Sequence, residues 1–298
     1  MTTNQSAAKS VSGGWRSKLI NPVLDKEFRL RMRTPRSMWT ILAYLFAIGL
    51  MGLSAIYLTQ VNYGGTQAFN PEQSKMLFIM LSLAQLGLIA FMAPGLTAGV
   101  ISGEREKQTL SLLLTTQQSS ATIILSKLLS SLSFMILIVV STIPVYSMIF
   151  LYGGVSPKQL LLVFMFYIVT MIVLGSFGIL FSTLFKKTMI SVIVTYGVTL
   201  FLFAGTALVY VVVMQVVARV STPPYSFPWI GHIMALNPAA ALYSILEPSI
   251  TEEIFSSSIS NVQGKYAPMA LWQEWILIFS VVSAGVLWLS IRRLRPRA

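Results

Sequence analysis

The chain has no cysteine and only one histidine, His232, among its 298 residues. The absence of cysteine excludes disulfides, a thiol nucleophile and thiolate metal sites. A lone histidine without clustered carboxylates cannot hold a metal ion or build a catalytic triad, so we expect it to serve in packing or hydrogen bonding. The phosphate-loop pattern G-x-x-x-x-G-K-[ST] is also absent. We therefore expect no ATPase site, no catalytic residue and no cofactor in this chain.

Charged residues are scarce as well. They make up 10% of the chain, whereas soluble domains carry about 25% because part of every helix faces water. Hydrophobic residues make up 55%, and the mean hydropathy is +0.75. This composition indicates a membrane protein. The net charge of +12 then reflects basic loops at the membrane surface and not a nucleic-acid partner.

Long apolar runs divide the chain into two parts. The first 37 residues are polar and basic and lack the features of a cleavable signal, so we expect a cytoplasmic segment, 1–37, before a transmembrane domain, 38–298. A bilayer core about 30 Å thick is crossed by about 20 apolar helical residues. On that basis the sequence predicts six transmembrane helices, at about 38–59, 76–100, 121–152, 160–185, 188–218 and 275–291.

The distribution of basic residues predicts the orientation of these helices. With a cytoplasmic N-terminus, 17 of the 21 basic residues fall on the inside. Only four fall outside: Lys75, Lys158, Arg219 and Lys265. Basic residues accumulate on cytoplasmic loops, so this bias and the even number of spans predict that both termini are cytoplasmic.

The N-terminal segment contains a predicted amphipathic helix. Pro22 suits its first turn, Leu24 and Phe28 lie on one apolar side, and Arg29 is spaced for an ion pair with Asp25. A basic helix with one apolar stripe lies along a membrane surface. We therefore predict an interfacial helix; the alternative is a solvated basic arm that only sets topology.

The predicted outer loop, 219–274, is rich in proline and holds one broken apolar stretch, 229–246. Pro238 and the polar Asn237 interrupt this stretch, which is too short to span. Irregular backbone survives at membrane depth only where protein or a water-filled cavity satisfies it. We predict a pair of short re-entrant or interfacial helices; the alternative is a loop packed on top of the bundle.

Within the spans, small and helix-breaking residues predict packing features. Gly95 and Gly99 form a G-x-x-x-G pattern in the second span, and Gly175 and Gly178 lie in the fourth span. We expect both pairs of glycines to allow ordinary close packing between helices. Pro144 predicts a kink in the third span.

The apolar cores carry no Asp, Glu, Arg or His. Transporters driven by ion gradients usually keep such residues in the membrane, so a secondary transporter is disfavoured.

A charged motif separates the second and third spans, in the loop 102–120. Residues 102–116 read S-G-E-R-E-K-Q-T-L-S-L-L-L-T-T, with four charges before a leucine cluster. Drawn as one helix, it places Leu110, Leu113 and Leu114 on one face. Glu104 and Glu106 then lie in the first turn, where the helix dipole favours acids. The residues alone are equally consistent with a surface helix tucked under the bundle.

This motif, G-E-R-E-x-x-T-L-x-x-L-L-x-T after a second span, resembles the first cytoplasmic loop of ABC-2 type transporter permeases. That family often has Gly, Glu and Pro where this chain has Gln108, Ser111 and Gln117. The segment I-L-S-K-L at 124–128 is similar to the family's I-x-x-x-K-L entry to the third span. L-N-P-A at 236–239 and the N-P-x-x-x-K-E-x-R pattern from Asn21 are similar to further parts of the family.

The resemblance implies the ABC-2 exporter fold. This is an all-α membrane protein of six transmembrane helices with an N-terminal interfacial helix, a cytoplasmic coupling helix and outer-face re-entrant helices. It implies that two permease subunits, identical or homologous, pair in a bacterial inner membrane. An ABC ATPase dimer that binds ATP and Mg would then serve them. The implied ATPase-coupling residues are Gly103, Glu104, Arg105, Glu106, Thr109, Leu110, Leu113 and Leu114. The implied outer gate comprises Trp229, Asn237 and Pro238.

The sequence thus leads to one main functional hypothesis, the permease subunit of an ATP-driven exporter that forms half of a translocation pathway. The alternative from a different class is an ABC-like membrane scaffold or sensor without transport. A secondary transporter is a third and less favoured possibility.

Overall fold

The computed structural model describes residues 35–62, 71–110, 119–151, 153–220, 229–257 and 269–294. The predicted interfacial helix with Pro22, Leu24, Phe28 and Arg29 lies outside the described residues, and so do Leu113 and Leu114.

The described part of the chain is built of helices and contains no strand. The helices are α1 (Pro35–Asn62), α2 (Pro71–Thr97), α3 (Ser102–Glu106), α4 (Ser120–Val140), α5 (Ile143–Leu151), α6 (Pro157–Leu184), α7 (Thr188–Leu200), α8 (Thr206–Val220), α9 (Trp229–Ala235), α10 (Pro238–Leu246), α11 (Ser249–Ser257) and α12 (Leu271–Leu294). A π-helical turn, Phe201–Gly205, joins α7 to α8.

Within the described residues, five helical segments are long and apolar enough to cross a membrane, and they correspond to the second to sixth predicted spans. They are 71–106, 120–151, 157–184, 188–220 and 271–294. The first predicted span lies in α1, which has 28 residues and is therefore about 42 Å long at 1.5 Å per residue. Its apolar stretch among the described side chains, Met38–Ser54, is shorter.

The third span is interrupted close to Pro144, the residue at which the sequence predicts a kink. Helix α4 ends at Val140, and α5 begins at Ile143 with the proline in its first turn. Thr142, in the break, is buried and exchanges hydrogen bonds with the Gln85 side chain of α2 at 3.1 and 3.2 Å. The helix is interrupted here because proline removes a backbone donor. The hydrogen bonds between Thr142 and Gln85 then fix the interrupted segment against α2.

Helix α6 is the centre of the bundle and packs against α2, α4, α7, α10 and α12. Phe166, Tyr167 and Met171 of α6 are fully buried. Large apolar side chains point outward elsewhere, such as Phe91 on α2 and Met189 on α7, both more than half exposed. Lipid can solvate this apolar surface, because hydrocarbon tails replace water around membrane helices.

The predicted small residues allow two close approaches to α2. A Cβ at Gly95 would lie 3.1 Å from the Tyr196 hydroxyl, and a Cβ at Gly99 would lie 3.1 Å from Thr188, both on α7. On the other side, a Cβ at Gly178 of α6 would meet the Thr97 hydroxyl at 2.0 Å. The last turns of α2 and the residues directly after them are therefore held between α6 and α7.

Candidate functional site

Helix α3 is a single short turn and not the start of one continuous helix over residues 103–115. It ends at Glu106, and the next residues form a C-terminal cap in which Thr109 N donates to Glu104 O at 3.0 Å and Gln108 N donates to Arg105 O at 3.1 Å. This bonding pattern needs a left-handed residue at Gln108, whose φ is +59°. The expectation of one helix carrying Glu104 and Leu110 together was therefore wrong.

The left-handed conformation of Gln108 yields a prediction. We expect Gln108→Gly to stabilise the protein by about 1 kcal/mol, because only glycine adopts this conformation without a Cβ clash. Gln108→Ala keeps a Cβ and should bring no such gain. Equilibrium unfolding in detergent, followed by tryptophan fluorescence, measures both; equal stability of the two variants would contradict the argument.

The backbone at the start of α3 is anchored to the end of α6. Ile101 N and Ser102 N both donate to the Ser182 hydroxyl, at 2.8 and 2.9 Å. Ile101, Ser102 and Ser182 are all buried. Satisfying these donors inside the bundle fixes α3 against the fourth span, because an unmade buried hydrogen bond is costly.

Glu104 forms an ion pair within the chain. Its carboxylate lies 2.5 Å from the ammonium of Lys127 in α4, with the side chains 24% and 9% exposed respectively. The Oε2 atom of Glu104 is buried without a hydrogen-bond partner. The pair therefore joins α3 to the beginning of the third span and is largely shielded from water.

Arg105 binds the end of the fourth span. Its guanidinium donates to the carbonyls of Thr183 and Phe185, both at 3.2 Å. Carbonyls at the end of a helix lack backbone donors and carry partial negative charge, so a cation there is favourable. Arg105 thus caps α6 from a neighbouring segment.

Glu106 caps the beginning of the fifth span. Its carboxylate accepts hydrogen bonds from Thr188 N and from the Thr188 hydroxyl, both at 2.8 Å. The local N-cap residue of α7, Lys187, makes no side-chain cap bond. An acid at a helix N-terminus satisfies free N–H groups and interacts favourably with the dipole. Glu106 therefore supplies the cap that the local sequence lacks.

The predicted coupling residues thus separate into inward and outward groups. The charges of Glu104, Arg105 and Glu106 are engaged by α4, α6 and α7, and Leu110 is buried. The exposed part runs from Glu106 to Thr109, and the exposed Glu106 carboxylate within it binds Thr188. Sequence reasoning missed the partners Lys127 and Thr188, because their contacts join positions 23 and 82 residues apart.

The broken helix pair α9–α10 enters the bundle from the opposite end. The pair bends by 94°. Glu247, after α10, forms an ion pair with Lys75 in the first turns of α2, and the hydrogen bond from Lys75 holds the pKa of Glu247 below its usual value. His232 of α9 lies 2.7 Å from Glu274, in the first turn of α12. Both arms therefore lie at one end of the bundle, as the re-entrant arrangement predicts.

Asn237, at the bend, is 2% exposed. Its Oδ1 accepts from Ala239 N at 2.8 Å and Ala240 N at 3.2 Å, which caps α10. Its Nδ2 donates to Phe203 O at 2.7 Å and to the Thr206 hydroxyl at 3.0 Å. These two partners lie near the middle of the 188–220 span. The bend therefore reaches deep into the bundle, unlike a loop packed on its surface.

The other residues of the predicted outer gate differ in exposure. Trp229, at the start of α9, is 54% exposed, whereas Pro238 is buried in the first turn of α10. The ring of His232 packs edge-on against Phe255 and hydrogen-bonds Glu274. The histidine has the packing and hydrogen-bonding role expected from the sequence.

The two sites lie at opposite ends of the bundle. The α3 site contacts the end of α6, while α10 contacts its beginning, where Gln159 donates to Leu246 O at 3.4 Å. Helix α6 has 28 residues and is therefore about 42 Å long. Across the described ranges, no group of three His, Cys, Asp or Glu side chains could hold a metal ion.

The match to a known protein family covers almost the whole chain. The family model described as ABC-2 family transporter protein matches residues 21–294. No curated protein matches the chain. The family match includes α3, all the candidate spans and the broken pair. The chain is a multi-pass membrane protein that belongs to the ABC-2 family of transporter proteins, the permease components of ABC transporters.

Proposed function

We propose that this permease serves an ATP-driven exporter and that a separate ABC ATPase subunit engages it through the segment 103–115. The placement of the charged motif carries the proposal. The motif lies at one end of the bundle and exposes the turn Lys107–Thr109, while the re-entrant pair lies at the other end. An ATPase that binds at the exposed turn would leave the opposite end free for release of substrate.

The contacts of α3 support a coupling role. Glu104, Arg105 and Glu106 bind α4, α6 and α7, respectively. A displacement of the exposed turn by the ATPase would therefore act on three spans together. In this mechanism the three charged residues transmit movement, and residues from Lys107 onward make the contact with the ATPase.

Pairing with a second permease subunit, identical or homologous, completes the proposed pathway. In the 188–220 span only 6% of an 18-residue apolar stretch is buried within the chain, compared with 50–67% in the three preceding spans. This leaves a lateral apolar face for lipid or for a second subunit.

We place the α3 end in the cytoplasm, in a bacterial inner membrane. Helix α12 runs from the α9–α10 end toward the α3 end, so the C-terminal basic residues and the charged motif are on the same side, as the positive-inside rule requires. ATP and Mg bind to the partner subunit in this proposal, and the chain contributes no ATPase site.

The charge of the exposed turn gives a direct test. We expect Lys107→Glu to reduce the amount of ABC ATPase that co-purifies with the full-length chain and to lower ATP hydrolysis by the complex about tenfold, as expected for loss of a charged interface contact. Lys158→Glu is the matched control, because this exposed lysine lies in the first turn of α6 at the other end.

An exporter permease must also move substrate in an ATP-dependent manner. If the wild-type chain binds no ABC ATPase, the proposal fails. If it binds one but shows no ATP-dependent flux in proteoliposomes, the scaffold or sensor hypothesis replaces it. Equal ATPase binding by Lys107→Glu and Lys158→Glu would place the contact elsewhere.

A further inference from the structure

The fifth span contains a π-helical turn near its middle. In the turn Phe201–Gly205, Thr206 N donates to Phe201 O, five residues earlier. A π-helical turn holds one extra residue, interrupts the regular α-helical bonding and is frequent at functional sites. It therefore divides the span into two helices, α7 and α8, that can change their relative rotation.

Asn237 connects the re-entrant pair to this turn. Its Nδ2 donates to Phe203 O inside the turn and to the Thr206 hydroxyl directly after it, while its Oδ1 caps α10. The amide thus uses its donors on the fifth span and its acceptor on the re-entrant pair. One side chain therefore links the π-helical turn to the bend of the re-entrant pair.

The opposite end of α7 is bound to α2 and α3. Glu106 caps it at Thr188, the Ser191 hydroxyl donates to Ala98 O at 2.6 Å, and the Tyr196 hydroxyl donates to Phe91 O at 2.8 Å. Helix α7 is therefore attached to α3 at its first residue, and it ends at the π-helical turn. From Thr188 to the start of the turn at Phe201, the distance is about 20 Å at 1.5 Å per residue.

We propose that Glu106 and Asn237 are positioning residues at the two ends of α7, and that the π-helical turn transmits movement of α3 to the re-entrant pair. Glu106 sets the position of the helix start, and Asn237 passes the position of the turn to α10. The use of this connection in transport rests on the proposed function. The coupling itself is a property of the single chain and requires no ATPase.

The absence of cysteine makes the coupling measurable. In purified full-length chain, Trp229→Cys introduces a single thiol at the exposed start of α9. The rate at which a maleimide modifies this thiol reports the position of the re-entrant pair. We expect Glu106→Ala to change that rate about threefold, a size typical of coupling between distant sites.

The second variant is Asn237→Ser, which keeps a hydroxyl to cap α10 but is too short to reach Phe203. In this background, Glu106→Ala should no longer alter the modification rate. Thr206→Val removes only one partner of Asn237 and should weaken the effect of Glu106→Ala. This variant provides a second test if Asn237→Ser fails to fold.

Ser119→Ala is the matched control, because the Ser119 hydroxyl accepts from Thr122 N and caps α4 at the same end as Glu106. Its removal should leave the rate at position 229 unchanged. The proposal is overturned if Glu106→Ala has no effect, if its effect persists fully in Asn237→Ser, or if Ser119→Ala produces an equal change. Failure to bind an ATPase would leave these rates untouched, so the two proposals are tested separately.

Discussion

Gly178→Ala is expected to destabilise the protein by about 3 kcal/mol, the upper part of the range for overpacked cores. The new Cβ would lie 2.0 Å from the Thr97 hydroxyl, 2.8 Å from the Thr97 Cβ and 3.2 Å from Ala98 N. Thr97 is fully buried, so the clash can be relieved only by separating α6 from the end of α2. Unfolding in detergent and SDS mixtures, followed by tryptophan fluorescence, measures the loss.

Two further variants make this prediction specific. Gly197→Ala in α7 is the control, because a Cβ there would meet nothing within 4 Å; it should be neutral or stabilising by up to about 1 kcal/mol. Adding Thr97→Gly to Gly178→Ala removes the two closest clashes and should restore part of the stability. A Gly178→Ala protein as stable as Gly197→Ala would show that this approach is not tight.

Lys127→Met is expected to cost about 3 kcal/mol of stability, since breaking a shielded ion pair leaves a carboxylate uncompensated. Glu104 is the affected partner, and its Oε2 atom is already buried without a hydrogen bond. The same variant should lower ATP hydrolysis by the proposed complex, because α3 would lose its connection to α4. Equilibrium unfolding and ATPase assays of the complex measure the two effects.

The control is the neutral pair Glu104→Gln with Lys127→Met. This double variant removes both charges and should regain most of the stability lost by Lys127→Met alone, with a coupling energy of about 2 kcal/mol. If the two single substitutions simply add, the residues do not act as a pair, and the connection between α3 and α4 must come from other contacts.

Much of the fold follows from local sequence properties. Long apolar runs locate the spans, because backbone hydrogen bonds in lipid must be satisfied within a helix. Pro144 predicted a kink in the third span, close to the interruption between α4 and α5, and the interrupted stretch 229–246 predicted the re-entrant pair. These features depend on a residue and its neighbours along the chain. The π-helical turn in the fifth span has no such signal, and the sequence reading missed it.

The candidate site was located by its motif but described only in part. The sequence indicates Gly103–Thr109 as a distinct charged segment. It also places Glu104 and Glu106 in the first turn of one helix, where the dipole of that same helix would stabilise them. Instead, Glu106 caps α7, and Glu104 pairs with Lys127. The sequence also gave no sign that the helix would end at Glu106, because the cap residue is Gln108 and not glycine.

The sequence by itself determined that this chain is a membrane-embedded helical protein, because composition and hydrophobic run length decide which solvent surrounds a helix. Only the tertiary structure decided which helices the charges of the motif bind. That choice depends on how closely α2, α6 and α7 approach at Gly99 and Gly178. Such approaches join residues far apart in the chain, so no local pattern encodes them.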